Sequence, residues 1–190
     1  MYSRIVMDAI VAKAAQSSDF TIRAVFVRNL IFFHQVITAS ERLLSEAASE
    51  ADGELRNYFF NHLEEERDHA AWLARDLVHF DVDVKTVRLM PAAVKLAGIQ
   101  YYLIKHAHPC CLLGYMAVLE GFPISAEALE ALENAHGEEG LKTLRYHAKN
   151  DPQHRIELFA MIDKIARPEI IWSALQTVEI LNDWNDYGDL

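Results

Sequence analysis

Cysteine is almost absent from this 190-residue chain: Cys110 and Cys111 are the only two, and they are adjacent. Neighbouring thiols exclude a loop-closing disulfide framework, which fits a reducing compartment. Basic residues are outnumbered, 18 against 28 acidic ones, for a net charge of −10 at pH 7. That balance supplies no cationic surface for a phosphate backbone or an anionic lipid, so neither nucleic acid nor membrane is an expected partner. No apolar run approaches the roughly 20 residues that a bilayer requires. The opening MYSRIVMDAIVAKAAQ has neither the long apolar core nor the cleavage-like site of a signal peptide. The expectation is a soluble cytoplasmic protein. Only seven glycines and five prolines occur, and Val/Ile alternation over a strand's length is scarce, which argues against a sheet.

What the chain does have is a 52% hydrophobic composition, with apolar residues recurring every three and four positions. This predicts an all-α protein able to bury a sizeable core. Helices are expected at about 3–16, 20–48, 52–80, 84–119 (interrupted at Pro91), 125–135, 137–150, 152–165 and 168–186. Break signals lie between them: Asp52 and Gly53, the polar DVD at 81–83, GFP at 121–123, Gly140, and Arg167 with Pro168. No internal repeat or linker divides the chain, so residues 1–190 read as one helical domain.

Histidine, at nine copies, is plentiful, and its placement is informative. In YHAKNDPQH, His147, Asp151 and His154 fall at offsets zero, four and seven, which a helix gathers at about 0°, 40° and −20°. Pro152 stands inside that stripe; the expected reconciliation is that Asp151 ends one helix and caps a second one begun by Pro152. In NHLEEERDHAAWL, His62, Glu65, Glu66 and His69 share another face, at about 0°, −60°, 40° and −20°. Taken alone, such a face is an ordinary solvated one, but Trp72, Leu73 and Leu77 continue beside it and suggest that it turns inward. Glu120 is the only charged side chain in PCCLLGYMAVLEGFPIS, where an ionised carboxylate is costly without a cation or donors. Two histidine-carboxylate stripes and a solitary glutamate on separate helices are how a bundle holds iron or manganese. His34 and Glu41, seven apart on the second helix, are candidates for a further ligand or a supporting hydrogen bond. His79, His106, His108 and His136 have no ligand partner at helical spacing and read as surface or hydrogen-bonded residues.

HLEEERDHAAWL, GIQYYLIKHAHPCCLLGYMAVLEGFPIS and HAKNDPQH, in that order, resemble the heme-oxygenase-like diiron oxidase superfamily over most of residues 20 to 165. The resemblance implies a bundle of seven or eight helices. It also implies a ligand pattern of a glutamate and a histidine on an early helix, a lone glutamate on a middle helix, then HxxxDxxH. On that pattern the metal ligands are Glu66, His69, Glu120, His147, Asp151 and His154, with Glu65 next in line for the early carboxylate and His62 a substitute. Two non-heme irons, dioxygen as co-substrate, a small organic substrate and a homodimer follow by the same resemblance. Tyr101, Tyr102, Tyr115, Met116 and Phe122 are the candidate lining of an apolar substrate pocket.

Other functions are compatible with such a bundle. Pro109-Cys110 invites comparison with thiaminase-type hydrolases, in which Cys110 would be a nucleophile activated by His106 or His108. A heme oxygenase would use His34 as axial ligand, but the glycine-rich helix that admits heme is missing. A cofactorless oxidase of the pyrroloquinoline quinone synthase type and a metal-free binding protein complete the alternatives.

Overall fold

The computed structural model describes residues 1–14 and 18–186, and among them there are α-helices and one 3-10 turn but no strand. The helices are α1 (Tyr2–Lys13), α2 (Arg23–Glu50), α3 (Gly53–Glu66), α4 (His69–Val78), α5 (Pro91–His106), α6 (Cys111–Leu119), α7 (Ala126–His136), α8 (Lys142–Ile165) and α9 (Pro168–Asp186), with the 3-10 turn at Glu139–Leu141 before α8. The all-α expectation holds. The end of the first predicted helix, at 15–16, lies outside the described residues.

Local chemistry explains several of the boundaries. Pro91 and Pro168 open α5 and α9, where a missing N–H costs nothing and φ is already helical. The Ser125 hydroxyl accepts the Ala128 N–H at 3.1 Å to cap α7, which ends at Gly137 with φ 83°, a conformation glycine adopts without strain.

Three boundaries depart from the sequence expectations. The predicted 52–80 helix breaks at Arg67 and Asp68, and the predicted 84–119 helix becomes α5 and α6 separated at 107–110, with 81–90 outside any helix. Conversely, 137–150 and 152–165 do not meet at a cap: α8 runs unbroken through Pro152, so Asp151 sits mid-helix rather than at an N-cap. The helix accommodates the ring because tertiary packing on both sides, through the buried Thr143, Leu158 and Ile162, outweighs one lost backbone hydrogen bond.

The apolar interior forms two clusters. The larger gathers α1, α2, α3, α5, α6, α8 and α9 around side chains such as Phe32, Leu43, Phe59, Leu113 and Ile162. The smaller holds Phe26, Leu30, Leu73, Leu77, Phe80, Leu132 and Leu141. α6 lies hard against α9: a Cβ on Gly114 would stand 2.1 Å from the Ile170 carbonyl oxygen, so only glycine permits this approach. Among the described residues no helix is long and apolar enough to cross a membrane.

Candidate metal centre

The break between α3 and α4 shapes one end of the site. Arg67 is extended (ψ 132°) and Asp68 is left-handed, with φ 72°, a conformation that aspartate's short polar side chain tolerates. Glu66 therefore closes one helix and His69 opens the next. His69 is fully buried; its Nδ1–H donates to Glu66 Oε2 at 2.9 Å, and its Nε2 has no partner. Across on α8, His147 Nδ1–H donates to Asp151 Oδ1 at 3.0 Å, leaving Nε2 buried and unpartnered as well. Glu66 Oε1 is likewise an orphan. Glu66, His69 and His147 each offer one ligand atom, and those atoms lie within 4.8 Å of one another.

A second group adjoins the first. His62 Nε2–H donates to Glu120 Oε1 at 3.1 Å, while Glu120 Oε2 and His154 Nδ1 are buried without partners. His154 Nε2 lies 3.7 Å from Glu65 Oε2, and His154 Nδ1 lies 3.8 Å from Asp151 Oδ1. The rings of His62 and His154 meet edge to face at 5.5 Å. Asp151 links the groups: the His69 and His147 rings are 4.9 Å apart, and Asp151 touches the imidazoles of both His147 and His154. Glu66, His69, Glu120, His147, Asp151 and His154 thus share one neighbourhood, with His62 and Glu65 inside it.

Electrostatics follow from this crowding. Burial disfavours a charged His62, yet the charge and hydrogen bond of Glu120, with Glu66 and Glu65 behind, lift it from 6.5 to about 9. Against burial, Asp151 raises His147 in the same way. Burial would raise Glu66, but the hydrogen bond from His69 and the charges of His69, His147 and His62 hold it below its ordinary value.

The donor set fits a divalent metal. Buried polar atoms normally find partners, and one left unpaired costs about 1–3 kcal/mol; here five imidazole and carboxylate atoms, on Glu66, His69, Glu120, His147 and His154, have none. Each Nδ1–H of His69 and His147 is committed to a carboxylate, which is how ligating histidines are usually fixed in tautomer and direction. No thiolate is present: Cys110 and Cys111 are buried elsewhere and do not line the site. The Cys110 thiol is pushed up by its hydrogen bond to Cys111 and by burial.

A cavity of about 240 Å³ is lined by His62, Glu66, Glu120, His147 and Asp151, with His69 and His154 set back behind its wall. Tyr115, Met116 and Phe122 line it as the sequence suggested, but Tyr101 and Tyr102 do not. Tyr102 is exposed and packs on His106 at 4.7 Å, and Tyr101 packs against the main core. The reason is the break at 107–110, which uncouples the α5 stripe from that of α6. His34 and Glu41 are also off the cavity wall: α2 presents Phe33, Ile37, Ser40 and Leu44 instead, and His34 is a half-buried residue lowered by burial alone.

Trp72, which the sequence placed beside the His62–His69 face, packs on the His69 ring at 4.4 Å. Two other neighbours carried no sequence signal beyond their type. Tyr146 packs on the same ring at 5.1 Å. Tyr58 lies over His62 at 6.0 Å with its hydroxyl buried and unpartnered. Burial, then the charges of Glu120, Glu157 and Glu65, raise that phenol well above its ordinary value.

Comparison with solved structures decides the architecture. A domain of unknown function with a heme oxygenase-like fold from Shewanella denitrificans superposes with a TM-score of 0.63 over 97% of this chain and 90% of that one, at 19% identity. The fold is heme-oxygenase-like. A TenA homolog from Pseudomonas syringae pv. tomato shares this heme-oxygenase-like arrangement at a TM-score of 0.57 and 15% identity, covering 95% of this chain and 84% of that one. No protein-family model and no curated protein matches the sequence.

Proposed function

We propose that the protein is a non-heme diiron oxidase or oxygenase that uses dioxygen to oxidise a small organic molecule. The observation that carries this reading is the set of five buried, unpartnered imidazole and carboxylate atoms on Glu66, His69, Glu120, His147 and His154, of which Glu66, Glu120 and His147 also line the cavity. Glu66, His69 and His147 would hold one ion, and Glu120, Asp151 and His154 the other, with His62 or Glu65 completing the second set. Iron bound there would supply dioxygen activation and the redox capacity that side chains lack.

The chain's own contribution is positioning and exclusion of water. The hydrogen bonds from His69 to Glu66 and from His147 to Asp151 aim both Nε2 lone pairs into the site. His62 holds Glu120 in place at 3.1 Å, and one proton must leave that pair before both can serve as ligands. The apolar cavity wall keeps bulk water from the reacting groups.

Anaerobic loading with ferrous ion tests the proposal: about two irons per chain and oxygen uptake on exposure to air are expected. Glu120→Ala should lose one iron and the oxygen uptake while far-UV helicity is kept. Wild-type protein that binds no iron would overturn the reading in favour of a cofactorless or metal-free role. Loss of activity in Cys110→Ser with iron retained would favour a thiol hydrolase.

A further inference from the structure

A second pocket, of about 400 Å³, is lined by residues of α4 and α8. On α4, Trp72, Arg75, Asp76 and His79 stand at offsets zero, three, four and seven, which is one face of a helix. From α8 come Lys142, Thr143 and Tyr146. None of Glu66, His69, Glu120, His147, Asp151 and His154 lines this pocket. It adjoins the candidate metal centre through Thr143, which also lines the cavity there, and through Trp72 and Tyr146, which pack on His69.

Several of its groups are unmet. Asp76 is only 4% exposed; its Oδ2 accepts the Thr143 N–H at 2.7 Å, and among the described residues its Oδ1 takes no donor and no cation lies within ion-pair distance. A carboxylate so deeply buried is costly with a single donor. Thr143 is 3% exposed, and its Oγ1 is buried without a partner. The exposed Arg75 guanidinium makes no ion pair or hydrogen bond among the described residues. Lys142 pairs at 2.5 Å with Glu139, a surface residue. The Trp72 and Tyr146 rings stand nearly perpendicular, at 77°, with centroids 5.1 Å apart.

We infer that this pocket is a second ligand site, distinct from the cavity at the metal centre, and that it binds an aromatic α-amino acid as the zwitterion. The ligand's ammonium donates to Asp76 and to the Thr143 hydroxyl, its carboxylate meets Arg75, with Lys142 adding positive charge, and its ring packs against Trp72 and Tyr146. An anion alone would leave Asp76 short of a donor and bring a second negative charge beside it. A cation alone would enter next to Arg75 and leave that guanidinium unanswered. A ligand carrying both signs answers each group in turn, and a pocket of about 400 Å³ is of the size that holds a small organic molecule. Binding here needs no metal, so it stands apart from the function proposed above.

Calorimetric titration of the metal-free protein with L-phenylalanine, and with three compounds that each lack one part of it, tests this. Phenethylamine lacks the carboxylate, 3-phenylpropanoate the ammonium and L-alanine the ring; each should bind about tenfold or more weakly than phenylalanine. Arg75→Ala, at an exposed side chain, should weaken phenylalanine about tenfold and leave phenethylamine unchanged. Asp76→Asn keeps an oxygen for the Thr143 N–H; it should weaken phenylalanine yet improve 3-phenylpropanoate severalfold, a gain that a damaged fold would not give. Phenylalanine should also change the tryptophan emission, and Trp72→Phe should remove that change while calorimetric binding persists. No binding of phenylalanine at about 1 mM, binding no tighter than that of the fragments, wild-type affinity in Arg75→Ala, or an emission change that survives Trp72→Phe would overturn the inference. Phenylalanine binding without iron uptake would remove the diiron proposal and leave this one; iron uptake without phenylalanine binding would do the reverse.

Discussion

At the scale of single residues, the pairing of His62 with Glu120 has consequences for pH. The folded imidazole titrates at about 9 against an ordinary 6.5. A raised value means that protonation favours the folded state, so the stabilisation is complete below pH 6.5 and disappears as pH rises through about 9. His147 acts in the same direction. Thermal unfolding of the metal-free protein should therefore show Tm falling across that window, and His62→Gln should flatten the fall. Glu120 was legible in the sequence because nothing else charged surrounds it. Its partner was not: spacing along one helix shows which side chains share a face, but not which residue of another helix that face will meet. For the same reason Tyr58 and Tyr146 gave no signal, and His34 and Glu41, at good spacing on α2, turned out one position away from the residues that line the cavity.

At the scale of elements, local rules erred wherever packing outweighed them. Proline inside a helix usually marks a boundary, yet α8 carries His147, Asp151 and His154 straight past Pro152. Pro152→Ala should restore the missing backbone donor and raise stability, by about 1–3 kcal/mol in urea unfolding. Ferrous affinity should change little, because the helix that aligns the three ligands is already continuous. A tenfold loss of affinity would show that the ring's local distortion sets the ligand directions. The opposite error occurred at Asp68, where nothing short-range stops a helix rich in glutamate and alanine. The left-handed turn there, φ 72°, lets Glu66 and His69 close on each other from separate helices.

Considered as a whole molecule, the bundle was readable because periodicity is a property of every segment at once, and the heme-oxygenase-like arrangement of solved neighbours agrees with it. What periodicity leaves open is distance between helices. Gly114 sets one such distance: α6 seats its backbone on α9, and it carries Tyr115 and Met116 into the cavity and ends at Glu120. Gly114→Ala places a methyl group against backbone rather than a yielding side chain, so overpacking should cost about 3 kcal/mol or more. Urea unfolding measures that cost. Metal uptake should fall along with stability, since α6 cannot retreat from α9 without drawing Glu120 away from His62.

The stacking of Trp72 on His69 gives the molecule an optical property. The indole lies 4.4 Å from an imidazole whose free nitrogen faces the candidate metal position, whereas Trp184 stacks on Phe32 and Trp172 is half exposed. Ferrous ion arriving at His69 should quench one emitter of the three, so metal entry can be timed by stopped-flow fluorescence without an added dye. Trp72→Phe should remove most of that signal while iron stoichiometry stays unchanged. Quenching that survives the substitution would place the first ion to arrive away from His69.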